Sequence, residues 1–324
     1  EVLLHNGKLP EGDYPLLPLG VFAAGLAVVL IAAIAARVGT RSTLTRAAVA
    51  HSARSKVGTF RTVLACGAIV IGALLLALAC YLGEFGNLTG FAVAFLGAAS
   101  VSTGVLIGAQ RIVPQLVRWI GAAFGASAPS IVARKNAVSD PRRTTRSTIG
   151  LLVGVTLVTT IASGMSSLTK SVHGWDMSAA ELAETERSLS VVTAILLAMI
   201  AISAIIAAVG FVSTMSLTVI GRTREIGMLR AMGFTARQVR AMVVRESLAL
   251  SGTAVIAGLV LGIIFGTVGS QSLIGKATSG IPVGLPWGAL VAIIAGTAVV
   301  VIAASLPPSR RAVAVAPVDA LAVA

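Results

Sequence analysis

Seven stretches of this chain contain no aspartate, glutamate, lysine or arginine: Tyr14 to Ala36, Thr62 to Gly83, Phe85 to Gln110, Ser147 to Thr169, Ser188 to Gly221, Ser247 to Gly275 and Ala277 to Ser309. Each exceeds the roughly 20 residues that a helix rising about 1.5 Å per residue needs to cross a bilayer. A buried helix in a water-facing protein keeps one polar face, and seven unbroken runs leave little sequence to supply such faces. The pattern predicts an all-α polytopic membrane protein with about seven transmembrane helices. A mean hydropathy of +0.96 with only 11% charged residues agrees, because such a chain cannot offer an ordinary aqueous surface.

The net charge of +13 could suggest nucleic acid, but its placement argues for topology instead. Of the 25 lysines and arginines, all but Lys8, Lys170, Arg187 and Lys276 fall in segments 37–61, 111–146, 222–246 and 310–324, on alternate sides of the runs. Basic residues concentrate on the cytoplasmic side of membrane proteins. This predicts an outside start, a cytoplasmic C-terminus and no nucleic-acid partner.

Soluble-enzyme chemistry finds little support. Cys66 and Cys80 share one apolar run, where a helix would hold their Cα atoms about 21 Å apart, too far to pair. His5, His51 and His173 are scattered and give no metal-ligand spacing. The stretch "GSQSLIGKA" (269–277) only approaches a phosphate-binding loop: it has one residue too many between its glycines and no Ser or Thr after Lys276. We expect no catalytic, metal or cofactor site on this chain. The charge-free runs also disfavour an ion-coupled secondary transporter, which usually buries ionisable groups in its spans.

Beginning outside with an odd number of spans, the chain reads as a piece of a longer polypeptide. A weak echo between "ARVGTRSTLTRAAVA" (36–50) and "RRAVAVAPVDALAVA" (310–324) suggests a duplicated unit. Between residues 127 and 148, Ser and Pro punctuation brackets a short basic helix with Ile131, Val132 and Val138 toward lipid, and Pro141 after Asp140 suits a first helical position. The fifth run would be about 51 Å long as a helix, against a hydrocarbon core of about 30 Å. Part of it should therefore tilt or stand above the membrane, starting from a capping box of Ser178 and Glu181. Gly258, Gly262 and Gly266 recur at i, i+4, as do Gly104 with Gly108 and Gly150 with Gly154. Such rows let helix backbones approach closely.

The segment "GRTREIGMLRAMGFTARQVRAMVVRE" (221–246) carries six arginines between two apolar runs. Gly233 suits a helix C-terminus, Thr235 an N-cap with Gln238 closing a capping box, and Phe234 with Val239 a hydrophobic staple. This punctuation predicts a rigid helix, turn, helix element, with Arg222 and Glu225 able to pair on its surface. The residues "RTREIGMLRAMGFTARQVR" resemble the signature of FtsX and MacB type ABC-transporter permeases. The tail "LPPSRRAVAVAPVDALAVA" (306–324) resembles that family's ending, and "ARKNAVSDPRRTTRSTIGLLVG" (133–154) its entry into a first helix.

The resemblance implies an inner-membrane permease of a bacterial ABC complex, with the last helix of a first FtsX-like unit in 1–61, a two-helix linker in 62–126 and a complete permease unit in 127–324. Gly221 departs mildly from the family pattern, which often has Glu there. The outside segment 170–187 departs more, being far shorter than the ectodomain usual at that point. The resemblance further implies that Arg222, Thr223, Arg224, Glu225, Ile226, Gly227, Leu229, Arg230 and Gly233 couple the chain to a cytoplasmic ABC ATPase, which would hold ATP and Mg. Ile226 and Leu229 with a basic rim would then form the docking wedge. Expected partners are ABC ATPase subunits, membrane lipid, and the remaining N-terminal permease half or a second permease copy. The expected function is export or extraction of a lipid, lipoprotein or amphipathic peptide; the alternatives are a non-transporting transducer that regulates an envelope hydrolase or sensor and, more weakly, a secondary transporter.

Overall fold

The structure is a computed structural model that describes residues 59–86, 89–123, 125, 127, 130–133, 135, 141–174, 178–221, 223–275 and 283–314. The first apolar run, the echo segment 36–50, Val138, Asp140, Arg222 and Lys276 lie outside the described residues. The helices are α1 (Thr59–Glu84), α2 (Thr89–Ala122), α3 (Pro141–Val172), α4 (Ala179–Ile220), α5 (Thr223–Ala231), α6 (Ala236–Ile274) and α7 (Trp287–Ala314), and no strand occurs among the described residues.

Among the described residues five helices are long and apolar enough to cross a membrane: Thr59–Glu84, Thr89–Ala122, Thr148–Val172, Ala179–Thr214 and Ala236–Ile274. The protein is an all-helical membrane protein. A count of seven is not reached among the described residues, because the first apolar run lies outside them and only part of the last, Trp287–Val299, counts toward a span there. The last run holds α7, whose 28 residues begin after Pro286, and residues 283–286 before it lie outside any helix.

The centre of the bundle is the α3–α6 pair, brought together by the absence of side chains. A Cβ on Gly258 would lie 2.8 Å from Val155 Cγ1, one on Gly262 2.5 Å from Thr159 Cβ, and one on Gly266 2.5 Å from the Thr160 carbonyl oxygen. Inside a bilayer apolar residues gain little from leaving lipid for protein, so close backbone packing of this kind supplies the association. Small hydroxyl residues on α3 complete the seam: Thr159, Ser163 and Ser167 are fully buried. Ser163 Oγ donates to the Gly284 carbonyl at 3.2 Å, and the Gly284 N–H donates to Ser167 Oγ at 3.0 Å. These bonds satisfy both backbone groups of Gly284, which lies outside any helix.

Helices α1 and α2 form a hairpin by the same device. A Cβ on Gly72 would lie 2.6 Å from Val101 N, on Gly104 2.9 Å from the Ala65 carbonyl, and on Gly108 3.2 Å from Ala65 Cβ. The hairpin rests on α6, where a Cβ on Gly83 would come 2.8 Å from Ser272 Cα. Gly150 behaves otherwise: it is exposed, and nothing lies within 4 Å of a Cβ built there. The proposed Gly150–Gly154 packing row is therefore corrected, since α3 turns Gly150 away from every neighbour. Val132 is a second correction. It packs on the core, while Ile131 alone of that described apolar pair is exposed.

Helix α4 runs 42 residues, about 63 Å, and begins above the apolar run. Its start is a reciprocal cap: the Ser178 N–H donates to Glu181 Oε2 at 2.9 Å and the Glu181 N–H to Ser178 Oγ at 3.3 Å. The Ser178 hydroxyl, donating to Glu181 Oε2 at 2.7 Å, and after it the Ser178 backbone N–H hold the Glu181 carboxyl below its ordinary value. A depressed carboxyl stabilises the cap above the ordinary carboxylate range and loses that contribution as pH falls through the lowered value. Ser178→Ala is expected to raise the Glu181 titration toward the ordinary range, the backbone bond remaining, and to speed exchange of the first-turn amides at neutral pH. Residue-resolved NMR titration and hydrogen exchange read both, and an unchanged titration would remove the cap from the account.

Candidate functional site

The arginine-rich segment folds as two helices meeting at a four-residue joint, Met232 to Thr235. The Phe234 N–H donates to the Leu229 carbonyl at 3.0 Å and the Gly233 N–H to the Arg230 carbonyl at 3.0 Å, which is a Schellman ending of α5. Gly233 sits at φ +98°, a conformation that side chains resist. One residue later Thr235 caps α6: its Oγ1 accepts from the Gln238 N–H at 3.3 Å, and the Gln238 side chain accepts from the Thr235 N–H at 2.8 Å. Back-to-back caps leave no slack between the helices.

The joint is also anchored beneath. Ile226 is 3% exposed, Val239 and Met242 are fully buried, and Leu229 and Phe234 pack on the same cluster. That cluster reaches Val113 and Val117 of α2, Phe211 of α4 and Val301 of α7. Near the membrane edge, where water competes, burying each such side chain contributes about 1.5–3 kcal/mol. The elbow is thus built into the basic end of the bundle.

This placement reassigns the faces of α5. Ile226 points into the core, Gly227 is buried and Leu229 is half-buried. Glu225 is exposed and Arg230 half-exposed. Thr223 and Arg224 open the helix, and their side chains lie outside the described set, as does Arg222. The outward apolar surface is instead Met228 and Met232, 46% and 72% exposed. Their i, i+4 spacing was visible in the sequence, yet either face of this short helix could have been read as the buried one.

Two further features escaped sequence reading. Arg245 on α6 donates from Nη1 to Ser127 Oγ and, at 2.9 Å, to Ser130 Oγ, pinning the turn before α3 to the elbow helix. Glu246 beside it is 4% exposed, although as a charge bordering the apolar run it reads as a solvated residue. Among the described residues no group of His, Cys, Asp and Glu could hold a metal.

Residues 197–317, from the middle of α4 through α7, match the family model described as FtsX-like permease C-terminal. The chain is 34% identical over 146 residues to a macrolide export ATP-binding/permease protein MacB of Nitrobacter winogradskyi, a match covering 45% of this chain and 21% of that protein. It is 38% identical over 93 residues to an uncharacterized ABC transporter permease of Methanocaldococcus jannaschii, covering 28% of this chain and 23% of the relative. The matched region spans about a fifth of the length of these curated relatives. With the capped elbow and the membrane-length helices on either side of it, residues 197–317 carry an FtsX-like permease C-terminal domain, and the chain is similar to ABC permeases of the FtsX/MacB type.

Proposed function

We propose that this chain is the membrane-embedded coupling part of an ABC complex in the bacterial inner membrane, with its C-terminus cytoplasmic, and that it converts ATP hydrolysis on a separate subunit into movement of α4 and α6. ATP and Mg belong to that subunit, and this chain performs no catalysis of its own. The observation that carries the reading is the doubly capped, core-anchored joint at Gly233–Thr235, because a stiff lever transmits a push that a loose loop would absorb. The lever is continuous with a 39-residue helix. The cargo we assign is a lipid, lipoprotein or amphipathic peptide.

Met228 and Met232 supply the adaptable apolar contact for the ATPase groove, with Glu225 and Arg230 at its rim. Asp at Gly227 or Leu229 would strike core packing first, so it does not isolate docking. Replacing Met228 and Met232 together by Asp is expected to lower ATPase co-purification roughly ten-fold while leaving the thermal midpoint within a few degrees, as expected for exposed positions. Equal recovery of ATPase with parent and variant would sink the docking assignment.

The long reach of α4 favours a second reading. Its first turns, Ala179 to Arg187, stand above the apolar run and could switch an outside hydrolase or sensor without transport. ATP turnover stimulated by lipid or peptide supports export; stimulation only by an envelope enzyme supports switching.

A further inference from the structure

A groove of about 660 Å³ lies between α2, α3 and α6, and its lining is almost wholly apolar. On its open side Phe91, Phe95, Leu106, Val153, Leu157 and Leu273 are exposed, so it faces the surface that these membrane-length helices turn toward lipid. Two of its polar lining residues are spent internally: Thr156 Oγ1 donates to the Leu152 carbonyl and Thr160 Oγ1 to the Thr156 carbonyl. Ser270 differs. It is 3% exposed, and its hydroxyl has no hydrogen-bond partner. A buried hydroxyl without a partner is costly and calls for a ligand atom.

The position of Ser270 along the groove narrows what that ligand is. Phe91 follows the start of α2, Leu168 precedes the end of α3, and Ser270 precedes the end of α6, so one end of the groove coincides with the ends of all three helices. The lining runs about 18 Å on α6 (Leu261 to Leu273), about 22 Å on α2 (Phe91 to Leu106) and about 24 Å on α3 (Leu152 to Leu168), beyond the roughly 15 Å depth of a single leaflet. The groove therefore offers an apolar slot at least one leaflet deep with a hydroxyl donor near its mouth. A molecule with a polar head at the interface and a hydrocarbon tail toward the midplane satisfies both.

We propose that the groove holds one acyl chain of a membrane phospholipid, with Ser270 Oγ donating to an ester or phosphate oxygen of its head. The lipid wedges the α1–α2 hairpin against the α3–α6 seam, at the end of the bundle remote from the elbow. This inference rests on the reading of these helices as membrane spans and not on export. Gly269 provides the test: it lines the groove, and nothing lies within 4 Å of a Cβ built there, so a larger side chain fills the slot without striking a neighbour.

The full complex is placed in nanodiscs of phosphatidylethanolamine and phosphatidylglycerol containing a trace of phosphatidylglycerol with a diazirine at the acyl terminus, and labelled peptides are mapped by mass spectrometry. Label is expected on the α2, α3 and α6 residues that line the slot. Gly269→Leu should cut that labelling roughly ten-fold by filling the site, and Ser270→Ala should cut it about three-fold by removing one hydrogen bond. Gly67→Leu, an equally open glycine of α1, should leave it unchanged. Thermal midpoints of each variant separate loss of lipid from loss of fold, and ATPase recovery from the same samples reads the coupling proposal independently. Labelling that survives Gly269→Leu overturns the proposal, because the lipid is then merely peripheral. Displacement of label by an N-palmitoyl peptide, but not by unlabelled phosphatidylglycerol, also overturns it and assigns the slot to acylated cargo.

Discussion

Gly266→Val is expected to prevent the α3–α6 pair from closing. The new Cβ would lie 2.5 Å from the Thr160 carbonyl oxygen and 2.7 Å from Gly164 N, both backbone atoms of α3, so no side-chain rotation relieves the clash. Gly164 is equally committed, since a Cβ there would approach the Gly266 carbonyl at 3.3 Å. The helices must separate, and separation also removes the close contacts at Gly262 and Gly258 on the same face. A loss of about 3 kcal/mol, the upper part of the usual range for overpacking, is expected, and lipid-solvated side chains offer no compensating hydrophobic gain. Thermal unfolding in detergent and yield from the membrane measure it. Gly210→Ala is the control: nothing lies within 4 Å of its added Cβ, and it should be neutral or up to about 1 kcal/mol stabilising through helix propensity. Parental stability of Gly266→Val would mean that the seam is not formed by these glycines.

Gly233→Val is expected to uncouple the elbow with less damage to the rest of the bundle. A β-branched residue at φ +98° carries strain of about 1–3 kcal/mol, relieved only by opening the Schellman turn and changing the angle between α5 and α6. No atom lies within 4 Å of a Cβ at this position, so the effect is conformational and not steric. ATP turnover dependent on this chain should fall on the order of ten-fold, equivalent to about 1.4 kcal/mol, while ATPase co-purification persists through Met228 and Met232. Gly233→Asn should lie between. Unchanged coupled turnover in a variant that shows the strain by its lowered thermal midpoint would mean that force does not pass through this joint.

Much of the architecture was legible because it depends on interactions short in sequence. The caps at Ser178–Glu181 and Thr235–Gln238 close over three residues, so their partners are written side by side. The membrane-spanning helices follow from backbone hydrogen bonds that lipid forces each segment to satisfy internally. The all-helical fold and the family were readable from these local patterns, and the match at residues 197–317 bears out the resemblance.

Orientation was not legible. Whether Ile226 or Met228 faces the bundle depends on where α2, α4 and α7 stand, and nothing within the nine residues of α5 records that. Gly150 and Gly258 are indistinguishable as letters, yet one meets open space and the other Val155, because only one lies on the face that another helix crosses. The non-helical start of the last run was not legible either, because the partners of Gly284, Ser163 and Ser167, lie more than a hundred residues away.

By itself the sequence determined that the chain is helical, that it lives in a bilayer and that a stiff basic joint connects two of its helices, since charge exclusion and capping act over a few residues. Tertiary structure alone decided which face of each helix is covered, which glycines touch and where an apolar groove remains open. Those outcomes depend on distances between segments far apart in the chain, and an apolar helix with lipid on every side carries no polar stripe to announce them.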